Sequence, residues 1–446
     1  MKLKSITRAM LLSIAAAGAA APHANAGSKV PPVAQPAASK AQRENERLAT
    51  AYMADIRAAL DAAAAAAKED EQDFPATPEY SRNLYDFLYE APLYEKLVKA
   101  TFALGDVSGG ALHAYYLSHV PKQELIAKLV PQAMKIVSPE LAANMLKIVR
   151  EPAYGKRARI QLAAMGGAGG ESGTLSAEEQ KTLVRIDAEP AALKFRKLEP
   201  RLEQLVRSAV IAARSELELK LASEALAALA KMQSEIPAAG ASGRPAAIHT
   251  IGFEPWDQFI RASGNCNNRI ALAFHRYNKD LAELKYFELV KSVSVVGRQN
   301  YQEAAGLIDK AEDALATALT ALDAAIRERE REVRASAFAR FPLFRSQQDG
   351  VTAGLYTFAG DLGESYRNMF SAQRRLLAYL EQHKEQARIE GGKLVFEDDA
   401  LVAEVNELLK RVTETAREVD AVVDRQAERD EAAMTRARAN LEKAAK

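Results

Sequence analysis

The chain has 446 residues, and its 60 Lys and Arg nearly cancel its 59 Asp and Glu, leaving a formal charge of +1. A near-neutral protein has no global field that draws it to nucleic acid or to an anionic membrane surface. A single cysteine, Cys266, excludes an intrachain disulfide, and 48% hydrophobic residues with only 7% aromatics put the apolar content into Ala and Leu, the composition of helix.

The first predicted element is an export signal. Lys2, Lys4 and Arg8 form a basic start, and Ala9 to Ala21 form an apolar run too short for a permanent membrane span. Ala24-Asn25-Ala26 then supplies the small residues that a signal peptidase accepts. Cleavage after Ala26 removes three positive charges and leaves a mature chain of −2. The start lacks Arg-Arg, which favours the general secretory route over the twin-arginine one. No cysteine follows the signal, so lipid anchoring there is excluded, and no second long apolar stretch appears. The expectation is a periplasmic protein with no transmembrane segment in the mature chain, an extracellular destination being the alternative.

Residues 27–43, rich in Pro, Ala and Ser, read as a flexible leader. An N-terminal helical domain is expected over 44–236, opening with a helix over 44–71. Its next stretch, 74–152, concentrates aromatic residues, and prolines at 92, 121, 131, 139 and 152 cut it into short helices. Ser138-Pro139-Glu140 has the pattern of a helix start, and Ser176 with Glu179 that of a capping box. The Gly-rich run 166–173 reads as a loop between them. A long helical region follows to about Ser234, with a break expected near Pro200. Residues 237–255, rich in Pro and Gly, are the predicted linker to a C-terminal helical bundle over 256–446.

Long helices are expected at roughly 267–297, 300–340, 360–386 and 399–440. Two of them carry a 3,4 alternation: Ile308, Ala311, Leu315, Ala318, Leu322 and Ala325, then Val405, Leu408, Val412, Thr415, Val419 and Val422. Such stripes suit knobs-into-holes packing, and their shortness favours an antiparallel bundle over a coiled-coil rod. Arg327 to Glu332 alternates in sign, with Glu330/Arg334 and Glu328/Arg331 at helical spacing, and reads as a solvated face. Between the last two helices, residues 388–396 read as a small hairpin turning on Gly391-Gly392, with Asp398 or Asp399 capping the final helix. The fold class is therefore all-α, long antiparallel helices in two domains with one β-hairpin.

Motifs that carry chemistry are absent at their usual spacings. There is no H-E-x-x-H, no Glu-x-x-His, no G-x-S-x-G and no Walker run, so the sequence calls for no metal and no cofactor. His113 and His119, six apart on one helix, point to different sides. Gly105 to Gly110 resembles a protease nucleophile loop only with a spoiled spacing, and Cys266 has Arg269 as its one nearby cation. No residue is assigned as catalytic, although a hydrolase site assembled from His113, His119 and nearby tyrosines is the rival reading. Tyr80, Tyr85, Tyr89, Tyr94, Tyr115 and Tyr116 are the candidate partner contacts, because tyrosines give amphipathic contact area. Packing as the core of short helices is the alternative for the same rings. The partner in view is an envelope protein or a second copy of the chain, docked through helices.

The stretch Tyr366-Arg367-Asn368-Met369-Phe370, with Leu377-Ala378-Tyr379-Leu380, Gly392-Lys393-Leu394-Val395-Phe396 and Val405-Asn406-Glu407-Leu408-Leu409, resembles helical bacterial envelope proteins of the YiiG- and YiaF-like type. The resemblance implies an envelope protein and no catalytic residues, and this chain departs from those proteins in lacking their lipidated cysteine. Together these readings point to an exported helical binding or scaffolding protein, with an envelope hydrolase or metal-dependent enzyme whose site is assembled from dispersed residues, and a secreted helical effector, as alternatives.

Overall fold

The structure, a computed structural model, describes residues 74–103, 110–165, 173–336 and 342–444. The export signal, the leader, the helix expected over 44–71 and most of both Gly-rich runs lie outside the described residues. Those described are all-α apart from one two-stranded hairpin. They fall into two compact units that divide between Lys220 and Leu221.

The N-terminal unit is built from short helices that the sequence starts and stops by local rules. α1 (Pro78–Glu90) opens on the Thr77 hydroxyl, which accepts from the Tyr80 amide at 3.2 Å, and buries Tyr80, Leu84, Phe87 and Leu88. Those positions lie on one helical stripe, and each full burial contributes roughly 1.5–3 kcal/mol. Pro92 ends α1, and α2 (Leu93–Ala103) begins at once. After α3 (Ala111–His119) and α4 (Lys122–Ala133), α5 (Pro139–Val149) starts with Ser138 as N-cap and Pro139 in its first turn, as expected. α6 (Pro152–Ala164) follows. α7 (Ala177–Asp187) carries both halves of the predicted capping box: Ser176 Oγ accepts from the Glu179 amide, and Glu179 accepts from the Ser176 amide. α1 packs on α4 and α5.

Two prolines do not break helices as expected. Pro131 sits inside the last turn of α4, where little helix remains to be disrupted. Pro200 lies within α8 (Pro190–Ser242), which runs unbroken for 53 residues. A proline inside a helix costs about 3 kcal/mol, and burial of Leu202, Val206 and Val210 just beyond it offsets that cost.

The predicted linker is also structured differently. Residues 237–242 continue α8, with Ile236 and Ala239 buried. The segment after them is tied to α9 (Glu254–Glu283) by side chains of that helix. Asn268 bonds both the amide and the carbonyl of Ala246, and the buried Asp257 carboxylate accepts from the amides of Ile251 and Gly252. Gly264 on α9 lets the chain close up, because a Cβ there would stand 2.7 Å from Met232 Sδ.

The helix expected over 267–297 ends instead at Glu283. Lys285 and Gln299 take left-handed conformations (φ 51° and 53°) around two short helices, α10 (Tyr286–Leu289) and α11 (Ser292–Arg298). α12 (Tyr301–Ala335) packs against α9 and α13 (Pro342–Gln382), and α13 against α14 (Asp399–Ala444). Arg374 of α13 meets Asp309 and Glu312 near the start of α12, while Asp349 meets Arg334 near its end, so these helices run antiparallel. All six residues of the first predicted stripe are buried. In the second, Val405, Thr415, Val419 and Val422 are buried and Leu408 and Val412 half-buried. α13 starts well before the expected residue 360, carried through Gly350 and Gly354 by burial of Leu355, Phe358 and Leu362.

The hairpin forms as expected, β1 (Ala387–Glu390) pairing antiparallel with β2 (Lys393–Phe396) in the register Ala387↔Phe396. Gly391 and Gly392 both take positive φ (58° and 76°), which a two-residue turn of this hand requires. Asp398 caps α14 through the Ala400 amide at 2.8 Å.

Candidate functional site

The six candidate tyrosines do not share one surface. Tyr80, Tyr94 and Tyr116 are core residues, each at most 3% exposed. The Tyr80 hydroxyl donates to backbone carbonyls at Met134 and Val137, and burial pushes its phenol up to about 12. Burial raises Tyr94 and Tyr116 as well. Tyr94 is therefore not available as a partner contact, because α2 begins one residue earlier and turns it inward. Tyr85 and Tyr89 are half-buried and stack in parallel along α1, centroids 5.9 Å apart. Tyr115 is half-buried too, with its ring stacked on His119.

Tyr89 and Tyr94 do meet around a cation, but the cation is the chain's own. Lys122 Nζ stands 4.6 Å from the Tyr89 ring centre and 5.4 Å from that of Tyr94, bonded also to Glu95 and to the Tyr89 carbonyl. This box ties the start of α4 to α1 and α2. The histidines of the rival hydrolase reading are engaged separately: His113 stacks on Phe102, and His119 Nδ1 lies 2.9 Å from the Tyr115 carbonyl and from Ser118 Oγ.

A concave site forms elsewhere in the N-terminal unit, a cleft of about 280 Å³. Four helices build most of it. Met145 and Ile148 of α5, Ile186 of α7, and Ala192 and Phe195 of α8 form its buried floor, while the surface open to solvent is mainly polar. α6 contributes Tyr154, Arg157 and Gln161 at 3- and 4-residue steps, one side of the helix. α8 contributes Arg196 and Glu199, α7 contributes Asp187, and Lys96 enters from α2.

The charges of the cleft form a defined arrangement. The two carboxylate oxygens of Asp187 each accept from a different arginine: Oδ2 from Arg157 Nη1 at 2.9 Å, Oδ1 from Arg196 Nη2 at 3.1 Å. Asp187 is the last residue of α7, where the helix dipole disfavours a negative charge, and the two guanidinium groups compensate it. The Arg157 guanidinium also lies 5.0 Å from the Tyr154 ring centre. Lys96 pairs at 2.7 Å with Glu203, one turn beyond Glu199. Burial raises the Tyr154 phenol, which lies within electrostatic reach of Arg157, Glu199, Asp187 and Lys96.

The C-terminal unit holds a second polar group, sealed rather than open. Arg329, inside the run expected to be solvated, is 1% exposed. Its Nη2 donates to Gln348 Oε1 at 2.6 Å, its guanidinium lies 5.8 Å from the Phe259 ring centre, and no carboxylate pairs with it among the described residues. Burial pushes it down to about 10. Its neighbour Cys266 is 2% exposed and pushed up by burial to about 12, so at neutral pH it is a thiol rather than a nucleophilic thiolate. The ion pairs Glu330/Arg334 and Glu328/Arg331 do lie on the surface as expected.

Sequence reasoning missed the cleft and Arg329 alike. The cleft left no specific signal, because Arg and Glu at helical spacing read as ordinary surface. Arg329 did leave one: the stripe ending at Ala325 reaches it by one further step of four. Among the described residues, no group of three metal-ligating side chains occurs and no helix is long and apolar enough to cross a membrane. Compared with protein-family models, curated proteins and solved structures, the chain matches none.

Proposed function

We propose that this is an exported helical binding protein of the bacterial cell envelope, and that the cleft of the N-terminal unit is its ligand seat. The cleft carries the binding part of the reading: it is concave, mainly polar, and gathers charged groups of both signs from four helices into one small space. Export is supported by Lys2, Lys4 and Arg8, the apolar run and Ala24-Asn25-Ala26. The resemblance of residues 366–409 to envelope proteins supports the same address.

Export is tested by N-terminal sequencing of protein from envelope fractions. A start at Gly27 supports it, and an intact Met1 overturns it. Binding is tested by equilibrating the mature protein with envelope extract, gel filtration, and mass spectrometry of small molecules released on denaturation. The control is Gln161→Trp, a change at an exposed rim position that fills the mouth of the cleft without touching the core. A compound released from the wild type and not from the variant supports the reading. Equal release from both, or none from either, overturns it.

A further inference from the structure

The charges inside the cleft are not closed among themselves. Asp187 shares one negative charge between two arginines, so the trio with Arg157 and Arg196 keeps one net positive charge. Each guanidinium has five N–H donors, and Asp187 takes only one from each. Glu199 has the opposite condition. It is half-buried, lines the cleft three residues after Arg196, and has no ion-pair partner among the described residues. Residues three apart on a helix stand about 5–6 Å apart at Cβ. A remaining positive group and a remaining negative group therefore face the same small space, with the Tyr154 phenol within electrostatic reach of both.

A simple anion drawn to the arginines would be placed beside an unpaired Glu199, and a simple cation beside Glu199 would meet the arginines. Placing either beside a like charge in this partly open cleft is unfavourable. A ligand carrying both charges a few ångströms apart satisfies both groups at once. The volume of about 280 Å³ lies just below the range of about 300 to 1,000 Å³ for drug-sized ligands, so the ligand must be small.

Resting on the reading of the cleft as a ligand seat, we infer that its ligand is a small zwitterion of the free α-amino-acid class. Its carboxylate lies on Arg196 and Arg157, and its ammonium on Glu199.

The test is titration calorimetry of the full mature chain with leucine, N-acetyl-leucine and leucine amide, which differ in the charged groups alone. The free amino acid is expected to bind, and each blocked form to bind on the order of tenfold more weakly, since each loses one charge-assisted contact. Glu199→Gln removes the preference for leucine over N-acetyl-leucine, and Arg196→Gln removes the preference over leucine amide. Both side chains sit at the rim, and circular dichroism confirms that the variants are folded. N-acetyl-leucine binding as tightly as leucine overturns the inference in favour of a plain organic anion. If no amino acid binds while the extract still yields a compound sensitive to Gln161→Trp, the inference falls and the ligand seat stands. If the extract yields none either, both fall.

Discussion

The two units handle charge in opposite ways. In the N-terminal unit, Arg157, Arg196, Asp187 and Glu199 meet at an open cleft, where water solvates whatever protein partners do not. In the C-terminal unit, Arg329 sits 1% exposed against Cys266, with one hydrogen bond to Gln348 and its Nε without a partner among the described residues. The helices differ to match. Short helices, most of them begun by a side-chain cap or a proline, leave a concave gap where several converge. Long helices with alanine at alternate positions of the α12 stripe pack closely along their length. A charge at a helix junction can serve a ligand, whereas a charge in a long seam serves the packing it interrupts.

The largest expected effect tests the seam. Phe370, fully buried on α13 beside Tyr286 and Tyr366, should cost about 3–5 kcal/mol when replaced by Ala. Arg196→Ala in the cleft should cost at most about 1 kcal/mol, since its side chain is 54% exposed. Urea denaturation measures both, and comparable losses would erase the distinction between the two regions.

Alkaline pH gives the next effect. Cys266 is pushed from 9.0 to about 12 in the folded chain. The unfolded state therefore loses this proton first as pH rises. The group's contribution is fully present below about pH 9 and is lost as pH climbs through 12, amounting to a few kcal/mol at most. Cys266→Ala should flatten the alkaline arm of a stability–pH curve between pH 9 and 11 relative to wild type. An unchanged slope would mean that the thiol is reached by water.

Gln348 follows. Removing it by Gln348→Ala leaves the Arg329 charge without its hydrogen bond and should cost about 1–3 kcal/mol. The double change Arg329→Met, Gln348→Leu removes charge and partner together, and should be neutral or stabilising by up to about 4 kcal/mol. A double variant less stable than Gln348→Ala would show that the buried arginine contributes net stability.

How much of this was legible depended on whether a contact is local. Ser176 with Glu179, Ser138 with Pro139, and Gly391-Gly392 are each read within four residues, and all form. The α12 stripe was legible because a period reports a face. Pro200 misled because its cost is local, whereas the burial of Leu202, Val206 and Val210 that offsets it is tertiary. The cleft needed α2, α5, α6, α7 and α8 to converge, and nothing in their separate sequences marks the meeting. Arg329 stands between those cases. Its position was in the seam's register, and its charge hid it.

The smallest expected effect returns to the tyrosines. Tyr116 is fully buried, whereas Tyr85 and Tyr89 stack on each other with one side exposed. Stacked aromatic pairs contribute about 0.5–1.5 kcal/mol beyond their buried area, and part of the area of these two rings remains in water in any case. Replacing both Tyr85 and Tyr89 by Ala should therefore shift stability by about 1–2 kcal/mol, and amino-acid binding at the cleft not at all. If cross-linking in the envelope then loses a protein partner while the fold and the cleft are intact, this pair is a second, separate contact surface. If nothing is lost but the expected stability, the pair is the outer edge of the core that Tyr80, Tyr94 and Tyr116 fill from within.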